Sequence, residues 1–154
     1  MNLDHYEIEA GKKVLTYEFT SIGVQGNVRK LIQFVLIDES GIYNLAFGDK
    51  NSDTDDIDDL IITNNGDSEK VLATVVAAIY SFCDLLPQSR IFATGSTMAR
   101  TRLYRMGISK YFDMATKDFE IMGLTSIGWE HFIRGRNYQA YLIWRNVLNL
   151  SYEK

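Results

Sequence analysis

The chain has 154 residues, of which 46% are hydrophobic and 23% are charged, and its formal net charge is −4. This length and composition predict one folded domain over residues 1–154, with 149–154 as a frayed tail, and exclude a disordered chain. An isoelectric point near 5.1 argues against a dedicated duplex-DNA-binding protein, which would normally be basic.

The first half of the chain is predicted to consist of strands. Residues 14–22 alternate between apolar and polar side chains, which is typical of a half-buried strand. Residues 28–37 are nearly all apolar after Lys30, which predicts a central strand covered on both faces. A turn at 38–41 leads into an alternating strand at 42–47, and 58–63 is predicted to be a fourth strand.

An aspartate-rich stretch at 49–59 opens with the pattern Asp-x-Asn-x-Asp-x-Asp, which has the oxygen spacing of a calcium loop. Thr54 stands where such a loop requires glycine, and Leu60 stands where it requires a bidentate glutamate. The sequence therefore favours a solvated loop between strands and predicts no metal site.

A helix is predicted from Asp67 or Ser68, either of which could cap it, to about Leu85, before Pro87. It has an apolar stripe and a small-residue face that allows close packing or a subunit contact. That face consists of Ala73, Thr74, Ala77, Ala78 and Ser81. The single cysteine, Cys83, shares the apolar stripe and is predicted to be buried.

The strongest pattern lies at 90–107, where a short apolar strand at 91–93 is followed by a Gly-Ser-Thr turn and a helix that Gly107 is expected to end. Free N–H groups at the start of this helix and its arginine side chains together favour a bound phosphate or carboxylate. The predicted anion-binding residues are Gly95, Ser96, Thr97, Arg100, Arg102, Tyr104 and Arg105. The alternative is that the arginines form a solvated face or pair with the protein's own acidic residues.

A short helical piece at 108–114 and a strand at 118–124 are expected next. The stretches 128–134 and 138–145 flank Gly135-Arg-Asn137 and predict a hairpin, although 138–145 also fits a helix. Together these elements predict an α+β fold, with a largely antiparallel sheet of about six to eight strands and two main helices packed on it.

Recognised catalytic motifs are absent from the sequence. It contains neither a phosphate-binding Gly-x-x-x-x-Gly-Lys-Ser/Thr loop nor a Gly-x-Gly-x-x-Gly turn. Its two histidines, His5 and His131, lack a second ligand at metal-binding spacing, and Ser96 lacks the Gly-x-Ser-x-Gly elbow. The sequence favours a non-enzymatic protein without a cofactor, and an enzyme without a recognised motif is the alternative.

No apolar run is long enough to span a bilayer, and the N-terminus lacks the features of a signal peptide. One cysteine cannot form an internal disulfide, so we expect a cytoplasmic protein without a membrane partner.

Charge is distributed unevenly along the chain. Residues 1–89 hold 6 Lys/Arg and 15 Asp/Glu, a balance of −9, and residues 90–154 hold 10 Lys/Arg and 5 Asp/Glu, a balance of +5. A basic half indicates either an anionic partner or two halves that attract each other in the fold.

Basic and aromatic residues alternate in the second half, which predicts single-stranded nucleic acid as the first partner or else another anionic ligand. These residues are Arg100, Arg102, Tyr104, Arg105, Tyr111, Trp129, Arg134, Arg136, Tyr138, Trp144 and Arg145. The alternative is a homo-oligomeric protein–protein interaction or regulatory module, in which the small-residue helix face or the oppositely charged halves meet between copies.

The pattern Gly95-Ser-Thr-x-Ala-Arg-Thr-Arg-Leu-Tyr104, on a strand, turn and helix, resembles the signature of an uncharacterised bacterial family, a domain of unknown function. The later Gly135-x-x-Tyr-x-Ala-Tyr-Leu142 is similar to the closing strand of that family. The resemblance covers most of the chain and implies a small, stand-alone, cytoplasmic α+β protein. It implies no activity and no catalytic residue.

Overall fold

A computed structural model describes residues 5–9, 14–58, 64–94 and 98–146. Within these ranges the chain forms one eight-stranded mixed sheet, mostly antiparallel, and three helices, which confirms the predicted α+β fold. The strands are β1 (His5–Glu9), β2 (Val14–Gly23), β3 (Gly26–Leu36), β4 (Ile42–Asp49), β5 (Arg90–Ala93), β6 (Phe119–Thr125), β7 (Gly128–His131) and β8 (Tyr141–Arg145). The helices are α1 (Ser68–Leu85), α2 (Met98–Lys110) and α3 (Phe112–Asp118).

The strand order across the sheet is β1-β2-β3-β4-β5-β8-β6-β7. The first four strands form an antiparallel meander, in which each strand pairs with the next one along the chain. Short connections between the strands allow this arrangement. Between β4 and β5 the chain passes through α1, and these two strands pair in parallel. The last strand, β8, is inserted between β5 and β6 and is antiparallel to both.

The hydrophobic core lies between the sheet and a layer of helices on one of its faces. Phe82 of α1 stacks on Phe34 of β3, with 4.3 Å between the ring centroids, and meets Tyr43 of β4 edge-on at 4.9 Å. On the other half of the sheet, Phe112 of α3 packs near Phe132, with ring centroids 6.1 Å apart. The alternating side chains that point the other way lie on the opposite face, which the described helices do not cover.

The predicted strands at 14–22, 28–37 and 42–47 are confirmed, whereas the predicted hairpin around Gly135-Arg-Asn137 is wrong. β7 pairs with β6, and β8 lies on the far side of β6, so β7 and β8 are not neighbours. Of the two alternatives for 138–145, the strand is correct from Tyr141 onwards. Its alternate side chains Tyr141 and Ile143 are buried on the helix side of the sheet.

One predicted helix end is wrong, and one predicted cap makes a different hydrogen bond. Gly107 does not end α2, which continues to Lys110. A Cβ at Gly107 would lie 3.4 Å from Cδ2 of Leu72, so the glycine permits a close approach of α1 and α2. α1 begins at Ser68 and ends at Leu85, as predicted, and Asp67 is its N-cap residue. The Asp67 side chain makes no capping hydrogen bond, and its carboxylate accepts from the Ser21 hydroxyl at 2.6 Å.

The small-residue face of α1 packs mainly within the chain. Ala78 is 0% and Thr74 6% exposed, and the Tyr17 hydroxyl of β2 donates to Oγ of Ser81 at 3.2 Å. Cys83 is buried, as predicted. The predicted strand residues 59–63 and the tail 149–154 lie outside the described residues.

Candidate functional site

The predicted anion-binding residues surround the start and middle of α2. Gly95, Ser96 and Thr97 lie outside the described residues, as does the side chain of Arg100. The remaining three differ in burial, since Arg102 is exposed, Arg105 is half-buried and Tyr104 is only 8% exposed. Tyr104 therefore belongs to the core and presents no open aromatic face.

Arg102 and Arg105 lie on one stripe of α2 with Ser109, because the spacings of three and four residues match the helical repeat. The segment 133–137 packs along this stripe. Arg105 donates a hydrogen bond to Oδ1 of Asn137, and Arg134 donates to the backbone carbonyl of Ser109 at 3.0 Å. These contacts hold Arg134, from a distant part of the sequence, against α2.

Within the described residues, neutral acceptors hold Arg105 and Arg134, and these contacts do not neutralise their positive charges. The guanidinium of Arg134 also lies 5.0 Å from the ring centre of Phe112. Among the described residues, Arg102, Arg105 and Arg134 form no ion pair. Arg136 differs, since it donates to Glu130 at 2.7 Å. We call Arg102, Arg105, Arg134 and Arg136 the arginine surface.

Tyr138 anchors the segment that carries Arg134 and Arg136. Its hydroxyl donates to Glu130 at 2.6 Å and accepts from the Ile133 amide at 3.0 Å. The hydrogen bond from Tyr138, followed by that from Arg136, keeps the pKa of Glu130 below its ordinary value. The ring of Tyr138 lies directly over Gly123 of β6, where any Cβ would overlap it. The position of the arginine surface thus depends on a glycine in a neighbouring strand.

Tyr141 lies on β8 beneath this region and is fully buried. Its hydroxyl has no hydrogen-bond partner within the described part of the chain. Burial raises the pKa of Tyr141 to about 12, although the charge of Arg105 acts in the opposite direction. A buried hydroxyl without a partner lowers stability, because it has lost its hydrogen bonds to water.

Alternation of basic and aromatic residues in the sequence does not become alternation in space. Tyr104 and Tyr138 are buried on the helix side, whereas Trp129 and Trp144 point to the opposite face of the sheet. The sequence placed Arg134 and Arg136 among the alternating basic and aromatic residues, but not with the α2 arginines in the predicted anion-binding site. The available signal was the turn at Gly135, whose φ of 86° reverses the chain between these two arginines.

Some of the opposite charges in the two halves of the sequence pair within the fold. Arg145 lies 2.7 Å from Asp84, and Lys110 lies 2.8 Å from Glu69. These pairs support the interpretation that the acidic and basic halves attract each other inside one chain. Among the described residues, the arginine surface is a region where positive charge exceeds its local partners.

The acidic loop does not present the full calcium-like pattern, because Asp49 is buried and bonded to Lys30 at 2.6 Å. Across the described ranges, no three histidine, cysteine or acidic side chains group as metal ligands would. None of the helices in those ranges is both long enough and apolar enough to cross a membrane.

Comparison with known proteins gives one match. No curated protein and no solved structure is significantly similar to this chain. Residues 2–146 match the family DUF6934, described as a family of unknown function. Since the match spans nearly the whole sequence, the chain belongs to the DUF6934 family.

Proposed function

We propose that this protein is a binding module that holds the phosphate groups of single-stranded nucleic acid on the arginine surface. One observation supports this proposal above all. Within the described residues, Arg102, Arg105 and Arg134 form no ion pair. Planar guanidinium groups match the geometry of phosphate oxygens, and each can donate two parallel hydrogen bonds.

Preorganisation supports the same conclusion. Arg105 and Arg134 are already held by Asn137 and by the Ser109 carbonyl, so binding would immobilise fewer free side chains. Both acceptors are neutral and leave the positive charge available to a partner. A solvated arginine face, which is the alternative, has no need of such fixed positions.

An extended partner fits the shape of this surface. Arg102, Arg134 and Arg136 are exposed rather than gathered in an enclosed cleft, which suits a polymer with repeated phosphates. Bases would have no stacking platform on Tyr104 or Tyr138, because both rings are buried. We therefore expect binding through the phosphate backbone, with little dependence on base sequence.

Fluorescence anisotropy with end-labelled single-stranded oligonucleotides at low salt tests this proposal. The triple variant Arg102→Ala, Arg105→Ala and Arg134→Ala should bind at least about tenfold more weakly than wild type, because three phosphate contacts are lost. Unlabelled polyphosphate should compete with the oligonucleotide if phosphate groups alone are recognised.

The matched control is the triple variant Lys70→Ala, Lys110→Ala and Lys117→Ala, which removes the same number of positive charges from other helix positions. It should bind almost as tightly as wild type. Absence of binding at low salt, or equal weakening in the two triple variants, would contradict the proposal.

A further inference from the structure

The sheet face opposite the helices carries an apolar strip with two charged side chains at one end. Strand alternation and pairing place its central side chains on β5, β6 and β8. They are Arg90, Phe92, Glu120, Met122, Leu142 and Trp144. Towards β7 the strip continues to Trp129, which is 42% exposed and whose ring meets that of Phe92 at 6.3 Å. We call this surface the open face, and it is separate from the arginine surface.

Strand pairing arranges the open face in rows centred on β8. In the first row, Arg90 of β5 is paired with Trp144 of β8, which is paired in turn with Glu120 of β6. The guanidinium of Arg90 lies 4.8 Å from the ring centre of Trp144. Arg90 and Glu120 therefore lie on either side of Trp144, each on the strand next to β8.

The second row has the same symmetry without formal charge. Leu142 is central, with Phe92 on one side and Met122 on the other. Asn44 of β4 and His131 of β7 form its two outer ends. Apolar side chains thus occupy corresponding positions on both sides of β8, and polar ones lie outside them.

We propose that the open face is the interface of a homodimer whose two-fold axis runs along β8. Such an axis turns the second copy over, so that β5 of one copy lies opposite β6 of the other. Arg90 then faces Glu120 of the second copy, and the same pair forms again on the other side of the two tryptophans. In the next row Leu142 lies opposite Leu142, and Phe92 lies opposite Met122 of the second copy. The Phe92 and Trp129 rings approach each other across this row and lie at the contact.

This pattern is self-complementary, as an interface between identical surfaces requires. It does not suit a polyanion, because the positive charge of Arg90 is matched by the negative charge of Glu120 on the same row. Opposite charges at corresponding positions also fix the register of two copies and oppose other alignments. A second copy is therefore the occupant that the open face fits.

The size of the face predicts a reversible dimer. Five strands about 4.8 Å apart and about five residues of 3.3 Å each give a footprint of roughly 400 Å² per copy. Stable complexes bury about 800 Å² on each partner, so the dimer should dissociate on dilution.

Sedimentation velocity over a concentration series, with full-length protein, tests the proposal by charge reversal. Wild type should shift from monomer to dimer as concentration rises. Arg90→Glu alone and Glu120→Arg alone should each weaken dimerisation by at least about tenfold, because each places like charges opposite each other twice. Circular dichroism and thermal unfolding would show that both variants are folded.

The decisive experiment mixes the Arg90→Glu variant with the Glu120→Arg variant. In the mixed dimer, the new glutamate at position 90 of one copy meets the new arginine at position 120 of the other. The original Arg90 and Glu120 meet on the other side, so dimerisation should recover. The double variant should recover it as well. A wild type that remains monomeric throughout, or single variants that dimerise as well as wild type, would overturn the proposal.

Oligonucleotide binding by the same variants tests whether the open face binds nucleic acid instead of a second copy. Binding that Arg90→Glu abolishes, and that loss of Arg102, Arg105 and Arg134 leaves unchanged, would assign the open face to nucleic acid and overturn the dimer.

Discussion

The β2–β4 end of the sheet and the arginine surface both concentrate charge, but they neutralise it differently. At the sheet end, Lys30 lies 2.6 Å from Asp49 with both side chains less than a tenth exposed, and Glu18 accepts from Arg29 and Lys50. At the arginine surface, neutral groups hold the guanidinium groups of Arg105 and Arg134 in place. Charge neutralised within the fold contributes to stability, whereas fixed charge without a counter-ion is available to a partner.

The largest effect should come from breaking the buried pair. Lys30→Met leaves the Asp49 carboxylate buried without its ammonium partner, so we expect the free energy of unfolding to fall by about 3–5 kcal/mol. Urea unfolding followed by tryptophan fluorescence measures this loss. The double variant Lys30→Met and Asp49→Leu should recover much of it, because both charges of this pair are then removed together. A loss below about 1 kcal/mol in the single variant would contradict the structural role of the pair.

Acid should weaken the same end of the sheet. Burial raises the pKa of Glu18, but hydrogen bonds from Lys50 and Arg29 outweigh burial and leave it below its ordinary 4.5. A lowered folded-state pKa stabilises the protein above the pKa of the unfolded chain, and this contribution is lost as pH falls through the folded value. Wild type should therefore exceed Glu18→Gln in stability by about 2 kcal/mol near neutral pH.

Urea unfolding at pH 7 and at successively lower pH should show the difference between wild type and Glu18→Gln shrinking below about pH 4.5. Glu39→Gln is the control, because Glu39 is an exposed carboxylate on the 38–41 turn. A difference that stays constant down to the acid transition would show that the Glu18 charge contributes nothing.

The same contrast occurs between two tyrosines near the arginine surface. The Tyr138 hydroxyl bonds to Glu130 and to the Ile133 amide, whereas the Tyr141 hydroxyl has no partner among the described residues. Tyr138→Phe should lower the free energy of unfolding by about 1–2 kcal/mol, and Tyr141→Phe should leave it unchanged or raise it by up to about 1 kcal/mol. Thermal and urea unfolding would measure both, and equal losses would contradict the assigned partners.

Individual arginines should have the smallest effect on stability. Arg102→Ala should change the free energy of unfolding by less than about 0.5 kcal/mol, because its side chain is exposed and forms no ion pair in the described ranges. Arg145→Ala is the comparison, since Arg145 pairs with Asp84 and lies over the Tyr80 and Phe119 rings. It should cost more than Arg102→Ala in the same urea experiment, and the reverse order would contradict the proposed division of roles.

Local patterns in the sequence did not predict β1. They did predict β2, β3, β4 and α1, because alternation and helical periodicity report which side of each element is buried. They failed where pairing is not local. Insertion of β8 between β5 and β6 depends on side chains far apart in the sequence, and no short pattern encodes it. Gly107 was expected to end α2, yet its missing Cβ is used to approach Leu72.

The sequence predicted only the part of the candidate site that depends on local spacing. Arg102 and Arg105 share a stripe because both lie on one helix, and helical spacing is visible in the sequence. Arg134 joins them only through the packing of a distant turn on Ser109. Burial of Tyr104 and Tyr138 was also hidden, because an alternation of basic and aromatic residues does not reveal which face each side chain occupies.

The salt dependence of oligonucleotide binding is the strongest test of whether the arginine surface binds phosphates. For single strands, each phosphate contact contributes about −0.7 to the slope of log K against log salt concentration. Wild type should therefore show a steep slope, and the Arg102, Arg105 and Arg134 triple alanine variant should show a slope shallower by about 2. The lysine triple variant should retain the wild-type slope. Identical slopes for wild type and the arginine variant would show that these three guanidinium groups do not contact phosphates.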